Sequence, residues 1–214
     1  MKRLRLTSDE LSGVTVRVPA MVISNTPRYP WGDLLRTVND AAQKYFAEYR
    51  AVPPERRGGP DDGFGRATWL GAPGAGEAEI ARHEERLGMR LPPSYREFLQ
   101  VTNGWDEYSH ASLRLMSLAE VGWTRDVDPE LARIWDHLKD DRDPRDQSYL
   151  HQESMSGSLY ISEYIEGQVY LLNPHVIGPD GEWEAWDFAT WHPGEVRHKS
   201  FWDLMECEFG RYLL

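Results

Sequence analysis

The chain has 214 residues, 40% hydrophobic and 28% charged, a mixture that builds a real core and excludes wholesale disorder. Its one cysteine, Cys207, excludes an internal disulfide and any multi-cysteine zinc site, and fits a reducing compartment. The net charge of −11 argues against a nucleic-acid backbone as ligand and favours a basic partner.

The basic start MKRLRLTSDE is not followed by the apolar core of a secretory signal. No stretch approaches the roughly 20 apolar residues of a membrane span, so a cytoplasmic address is expected. Val14, Val16 and Val18 alternate as in a strand that Pro19 ends. Trp31, Leu34, Leu35, Val38, Ala41, Ala42, Tyr45 and Phe46 then recur at helical spacing. The Pro, Gly and charge of VPPERRGGPDDGFG read as a linker, which divides the chain into an N-terminal strand and helix extension over 1–67 and a main domain over 68–214.

The segment EAEIARHEERLGMRLPPSYREFLQVTNGW is the most legible. Glu77 and Glu79 suit a positive helix start, Ile80 and Leu87 share a face, and Gly88 supplies a left-handed stop. Pro93 suits the first turn of a second helix, whose Tyr95, Phe98, Leu99 and Thr102 keep the period. Asn103-Gly104 ends it. A short run through Leu113, Leu115 and Met116 follows, then a helix over ELARIWDHLKDD that gives way to a charged loop.

Beyond it, SLYISEY and QVYLLNP read as a hairpin around Ile165-Glu166-Gly167. GPDGEW turns the chain again into EWEAWDFATW. Phe201, Leu204, Met205 and Phe209 recur at helical spacing in a closing helix. The predicted class is α+β, a mostly antiparallel sheet of about four to six strands flanked by helices.

Residues 151–214 hold three Lys/Arg against eleven Asp/Glu, a balance of −8. On the last predicted strand Trp183 and Ala185 point one way, and Glu182, Glu184 and Trp186 the other. If the first face is core, the second displays two carboxylates around a ring, a composition suited to a basic protein surface; the alternative is that the rings are core and the acids solvated. The loop Trp105-Asp106-Glu107-Tyr108 has the same mixture. These seven residues are the expected partner contacts.

Candidate chemistry is sparse. The seven histidines form no H-x-x-x-H pair, and His192 with His198, six apart across a turn, would still need another ligand to hold a metal. Cys207 has no basic neighbour in LMECEF to activate it. Ser156-Gly157-Ser158 is no nucleophile elbow, and GAPGAG lacks the Lys of a phosphate loop. No catalytic set, metal or cofactor is expected.

The order of Glu85-x-Leu87-Gly88, Leu91-Pro92, Tyr95-x-x-Phe98-Leu99 and Asn103-Gly104, followed by GQVYLLNP, the Trp183 and Trp186 strand and SFWDLMEC, resembles the SUKH superfamily. That family includes yeast cell-wall regulators of the Smi and Knr type and many bacterial immunity proteins. The resemblance covers roughly residues 68–214. It implies an antiparallel sheet flanked by helices, no family-wide catalytic residues, and a protein-binding role. The bacterial members are commonly immunity proteins that bind the effector domain of a polymorphic toxin; a regulatory scaffold with several cellular partners is the alternative.

Overall fold

The computed structural model describes residues 28–56, 64–138, 152–191 and 195–213. The expected strand at Val14–Val18 and the charged loop after the ELARIW helix lie outside them. Helix α1 (Trp31–Ala51) buries Trp31, Leu35, Val38, Ala42 and Phe46, the stripe that the 3.6-residue period predicts. The Trp31 ring meets Phe98, Phe201 and Trp202 at 5.3, 5.4 and 4.7 Å, and its indole donates to the Ser94 carbonyl at 3.0 Å. Asn39 accepts from the Leu70 amide at 3.2 Å and donates to the Thr68 carbonyl at 3.3 Å. A boundary at residue 67 would therefore cut through one core, because α1 packs inside the domain that it was expected to precede.

Helix α2 (Glu77–Leu87) closes at Gly88, whose φ of 72° is left-handed, with Met89 donating back to the Glu84 carbonyl at 3.2 Å. This is the Schellman pattern, and glycine adopts it without a side-chain clash. Five residues, 88–92, lead from α2 to α3 (Pro93–Val101), which begins on Pro93 and buries Tyr95, Phe98 and Leu99. Arg96 Nε holds Glu84 at 2.9 Å and pins the two helices together.

The sheet is an antiparallel meander in the order β1 (Gly122–Trp123), β2 (Leu159–Tyr160), β3 (Gln168–Ile177), β4 (Trp183–Ala189), β5 (Glu195–His198). The predicted β2–β3 hairpin forms, with Ile165 and Gln168 exchanging backbone bonds of 3.1 and 2.9 Å. Its two central residues, Glu166 and Gly167, have φ of 50° and 87°, the primed-turn geometry that matches strand twist. The run at Leu113–Met116 is not a full strand; Leu115 makes single bridges to Trp105 and Ser162.

Both faces of the central strands are covered. Tyr170, Leu172, Trp183 and Ala185 join α1, α3 and the closing helix α6 (Phe201–Leu213) in the main core. Val169, Leu171, Trp186 and Phe188 face the other way into a second cluster. That cluster is roofed by Leu131 and Trp135 of α5 (Pro129–Leu138), reached through the single turn α4 (Thr124–Val127), and by Met155 of the short 3-10 helix Gln152–Gly157. Trp135 stands edge-on to Phe188 at 4.8 Å. Helix α6 buries Phe201, Leu204, Met205 and Phe209 as its spacing predicts, and starts from a Ser200–Asp203 capping pair. No helix among the described residues is long and apolar enough to cross a membrane.

Candidate functional site

The far end of the β3–β4 hairpin exposes apolar surface. Asn173 pairs with Glu184, but the next pair is Ile177 with Trp183, so Pro174, His175 and Val176 bulge out of the ladder. Proline has no amide proton to donate across a sheet, and a bulge at Pro174 removes that demand. The bulge turns Val176 and Ile177 outward, 38% and 52% exposed. His175 folds back toward Gly157, where any side chain would come within 2.8 Å of its Nε2. The tip is a Pro179-Asp180-Gly181 turn with Gly181 donating to the Gly178 carbonyl at 3.0 Å and a Gly181 φ of 84°, as Pro-Asp-Gly chemistry demands.

A cleft lies on each side of this tip. The first, of about 630 Å³, runs between the tip, the β5 end and the start of α6. Tyr29 stacks on Trp202 at 5.4 Å there, and Arg28 bonds Asp180 at 2.5 Å across it. Asp180, Glu182, Glu184 and Asp203 line it against Arg28, Arg197 and Lys199, so its balance of fixed charge is slightly acidic. The second, of about 660 Å³, lies between the tip and the α2–α3 turn, with Leu91, Pro93, Ile177 and Trp183 in its walls and Arg90 and Arg96 among its charged groups.

The residues singled out as contacts are distributed differently from the expectation. Trp105 and Tyr108 are 1% and 6% exposed. Trp105 bridges Gly71 and Leu115, and Tyr108 packs edge-on to Phe209 and Tyr212 at 5.4 and 4.8 Å. Asp106 is exposed and accepts the Glu107 amide at 2.9 Å; Glu107 is half-buried. Trp186 is fully buried and donates its indole proton to half-buried Glu184 at 2.8 Å. The predicted division of Trp183 and Trp186 between opposite faces holds, but α5 covers the second face, so Trp186 is core.

Glu182 departs furthest from an exposed acid. It is 2% exposed and accepts from the Ser94 amide at 2.9 Å, the Ser94 hydroxyl at 2.6 Å and the Tyr29 hydroxyl at 2.7 Å. Ser94 is the second residue of α3, whose preceding Pro92 offers no side-chain cap. Glu182 thus caps α3 from the β3–β4 tip, just before β4, supplying negative charge at the positive helix end.

The 105–108 loop packs on the C-terminal half of α6, whereas Glu182 and Glu184 border its N-terminal end. Trp202 and Phe209 are seven residues apart on that helix, about 10 Å at 1.5 Å per residue, so the two groups do not form one patch. Asp106, Glu107 and Glu184 keep solvent-facing surface. Val176, Ile177 and Arg90 were missed by sequence reasoning; Pro174 inside a β-rich run was the available sign of a bulge.

A polar network fastens α6 to the sheet. Gln168 donates to Asp187 at 2.6 Å, Tyr170 to Glu208 at 3.1 Å, and Arg211 reaches Glu208 at 2.5 Å. Burial, with Asp187 nearby, raises the Glu208 pKa above the usual carboxylate value. Burial lowers that of His198 against the opposing pull of Asp187. These groups are spent on one another, as in a structural network. Among the described residues no group of three or more His, Cys, Asp or Glu is placed to hold a metal ion; His192 lies outside them.

No curated protein matches the sequence. The SMI1/KNR4 family (SUKH-1) matches residues 74–207, from the approach to α2 into α6 and across the whole sheet. That span exceeds half of the chain, and the protein therefore belongs to the SMI1/KNR4 family (SUKH-1).

Proposed function

We propose that this protein is a non-catalytic, immunity-type binding protein that neutralises a toxin in the cytoplasm by covering its effector domain. The observation that carries the reading is membership of the SUKH-1 family across residues 74–207. Supporting it is a surface suited to protein contact: a projecting hairpin end with two exposed aliphatic residues between two open clefts. Apolar groups ringed by polar ones are how protein interfaces concentrate their affinity.

The expected partner is basic. The −8 balance of residues 151–214 attracts positive charge over about a Debye length and speeds encounter. Exposed Asp106 and half-buried Glu107 and Glu184 supply the negative charge, while Val176 and Ile177 supply the desolvated contact. Trp105, Tyr108, Glu182 and Trp186 act indirectly, holding the loop, the hairpin and α3 in place.

Co-expression with a toxin whose reading frame adjoins this one tests the reading. Protection of the host and a complex that weakens as salt rises are expected. Ile177→Asp should lower the affinity by about 30-fold, the equivalent of about 2 kcal/mol at a central contact. Equal killing with and without this protein would sink the proposal. Recovery of many unrelated cellular proteins and no toxin would favour a regulatory scaffold.

A further inference from the structure

The end of the sheet opposite the β3–β4 tip sets an exposed ring beside an uncommitted acid. Trp191, just beyond β4, is 59% exposed, more than any other large apolar side chain among the described residues. Its ring is seated on the β2–β3 turn: a Cβ at Gly167 would lie 3.5 Å from it, and the Gly167 carbonyl accepts the Thr190 amide at 3.0 Å. Consecutive Cα atoms are about 3.8 Å apart, so the Glu166 backbone comes within about 9 Å of the ring. A cation held within about 6 Å of the ring centroid is then in reach of the Glu166 carboxylate.

Glu166 is exposed, and its carboxylate makes no hydrogen bond or ion pair with another described residue. Its φ of 50° is left-handed, where glycine or asparagine would sit with less strain. A strained residue whose side chain has no partner inside the molecule fits a ligand contact, where stability is given up for function. The local charge is of one sign. Residues 151–191 hold seven carboxylates and no Lys or Arg. The cations bonded to this end of the sheet are already shared: Arg114 by Glu120 and Glu163 at 2.9 and 2.8 Å, Arg211 by Glu208 and Asp187 at 2.5 and 4.0 Å. Each guanidinium meets two carboxylates, and Glu166 adds a further negative charge that no described cation balances.

We infer that this end of the sheet takes an arginine side chain of a basic partner protein, its guanidinium laid on the Trp191 ring and paired with the Glu166 carboxylate. Tryptophan offers a cation the best ring face, and a planar guanidinium stacks on it while keeping donors for a carboxylate. A lysine ammonium reaches the carboxylate without stacking. Gln168 and Ile177 are the two ends of β3, about 30 Å apart at the rise of a strand, so this contact is separate from Val176 and Ile177. The inference rests on the basic-partner reading for the class of its occupant. It gives that reading an exposed pair of acid and ring, which buried Trp105, Tyr108 and Trp186 do not provide.

The test titrates acetyl-Gly-Arg-Gly-amide, and its lysine and glutamine counterparts, into the full-length protein and follows amide and indole NMR shifts. The arginine peptide should bind in roughly the ten-millimolar range of one side chain's contacts, moving the Trp191 indole and the Gly167 amide. It should bind about threefold tighter than the lysine peptide and about tenfold tighter than the glutamine peptide. Glu166→Gln keeps the side-chain shape and removes the charge, and Trp191→Leu removes the ring; each should weaken arginine binding by about fivefold. Both side chains are exposed, and the amide spectrum reports whether the fold is intact. Equal binding of the three peptides, shifts centred elsewhere, no shift at all, or no effect of either substitution would each overturn the inference. Toxin protection is scored separately: protection with no arginine binding at Trp191 removes this contact and leaves the immunity reading, and the reverse result removes the immunity reading alone.

Discussion

A carboxylate with 2% of its surface exposed is tolerated only when donors replace the water it has lost, and Glu182 has three, from Ser94 and Tyr29. Glu182→Ala leaves those donors without their acceptor and uncaps α3, and should cost about 2–4 kcal/mol in urea unfolding. Tyr29→Phe removes one bond and should cost about 1 kcal/mol. In the Glu182→Ala background the Tyr29 change should cost less, since the shared partner has gone; full additivity would show that the three donors act independently. Glu166 is a separate case. Its φ of 50° is a left-handed conformation that a glutamate adopts at a penalty and asparagine tolerates. Glu166→Asn should therefore raise stability by about 0.5–1 kcal/mol and leave the hairpin register unchanged. A fall in the urea midpoint would show that the Glu166 side chain contributes something more than turn geometry.

Helices α2 and α3 could be read from the chain because their signals are local: Gly88 suits a left-handed stop, Pro93 suits a helix start, and Tyr95, Phe98, Leu99 and Thr102 keep the period. The α6 stripe and the Glu166-Gly167 turn were legible for the same reason. What an amphipathic helix packs against is not a local property. Helix α1 shows its apolar stripe plainly in Trp31, Leu35, Val38, Ala42 and Phe46, yet nothing in that spacing says that it shares a core with Phe98 and Phe201. The paired clusters flanking the sheet were hidden similarly. Alternation assigns Trp183 and Trp186 to opposite faces, but whether a face meets water or α5 depends on residues some 50 positions earlier. The assignment of α1 is testable at its own scale. The chain lacking residues 1–67 should lose cooperative unfolding, whereas a true extension could be removed at little cost. Trp31→Ala should destabilise the full chain by about 3–5 kcal/mol, the range for deleting a large buried ring.

For the whole molecule, the response to acid is set by groups whose ionisation the fold opposes. Burial, helped by Arg86, pushes the His83 pKa down to about 4, and burial also lowers His198. A depressed folded pKa means that the unfolded chain takes up the proton first. The stability these histidines contribute is therefore complete above the ordinary imidazole value of about 6.5 and is lost as pH falls toward their folded values. Glu208 acts in the opposite direction: its raised pKa contributes stability at acidic pH that is lost as pH rises through the folded value. Two histidines oppose one carboxylate, so the urea midpoint should decline between about pH 6.5 and about pH 5. Net charge also shrinks toward the isoelectric point near 5.1, which relieves self-repulsion, but nearly equally in a variant that differs by one neutral histidine. Comparing such a pair isolates the histidine. His83→Leu keeps an apolar filling at that buried position of α2 and removes the titration, so its midpoint should change less over the same pH interval than that of the unaltered protein. If the two curves run parallel, His83 is not resisting its proton, and the decline belongs to His198 instead.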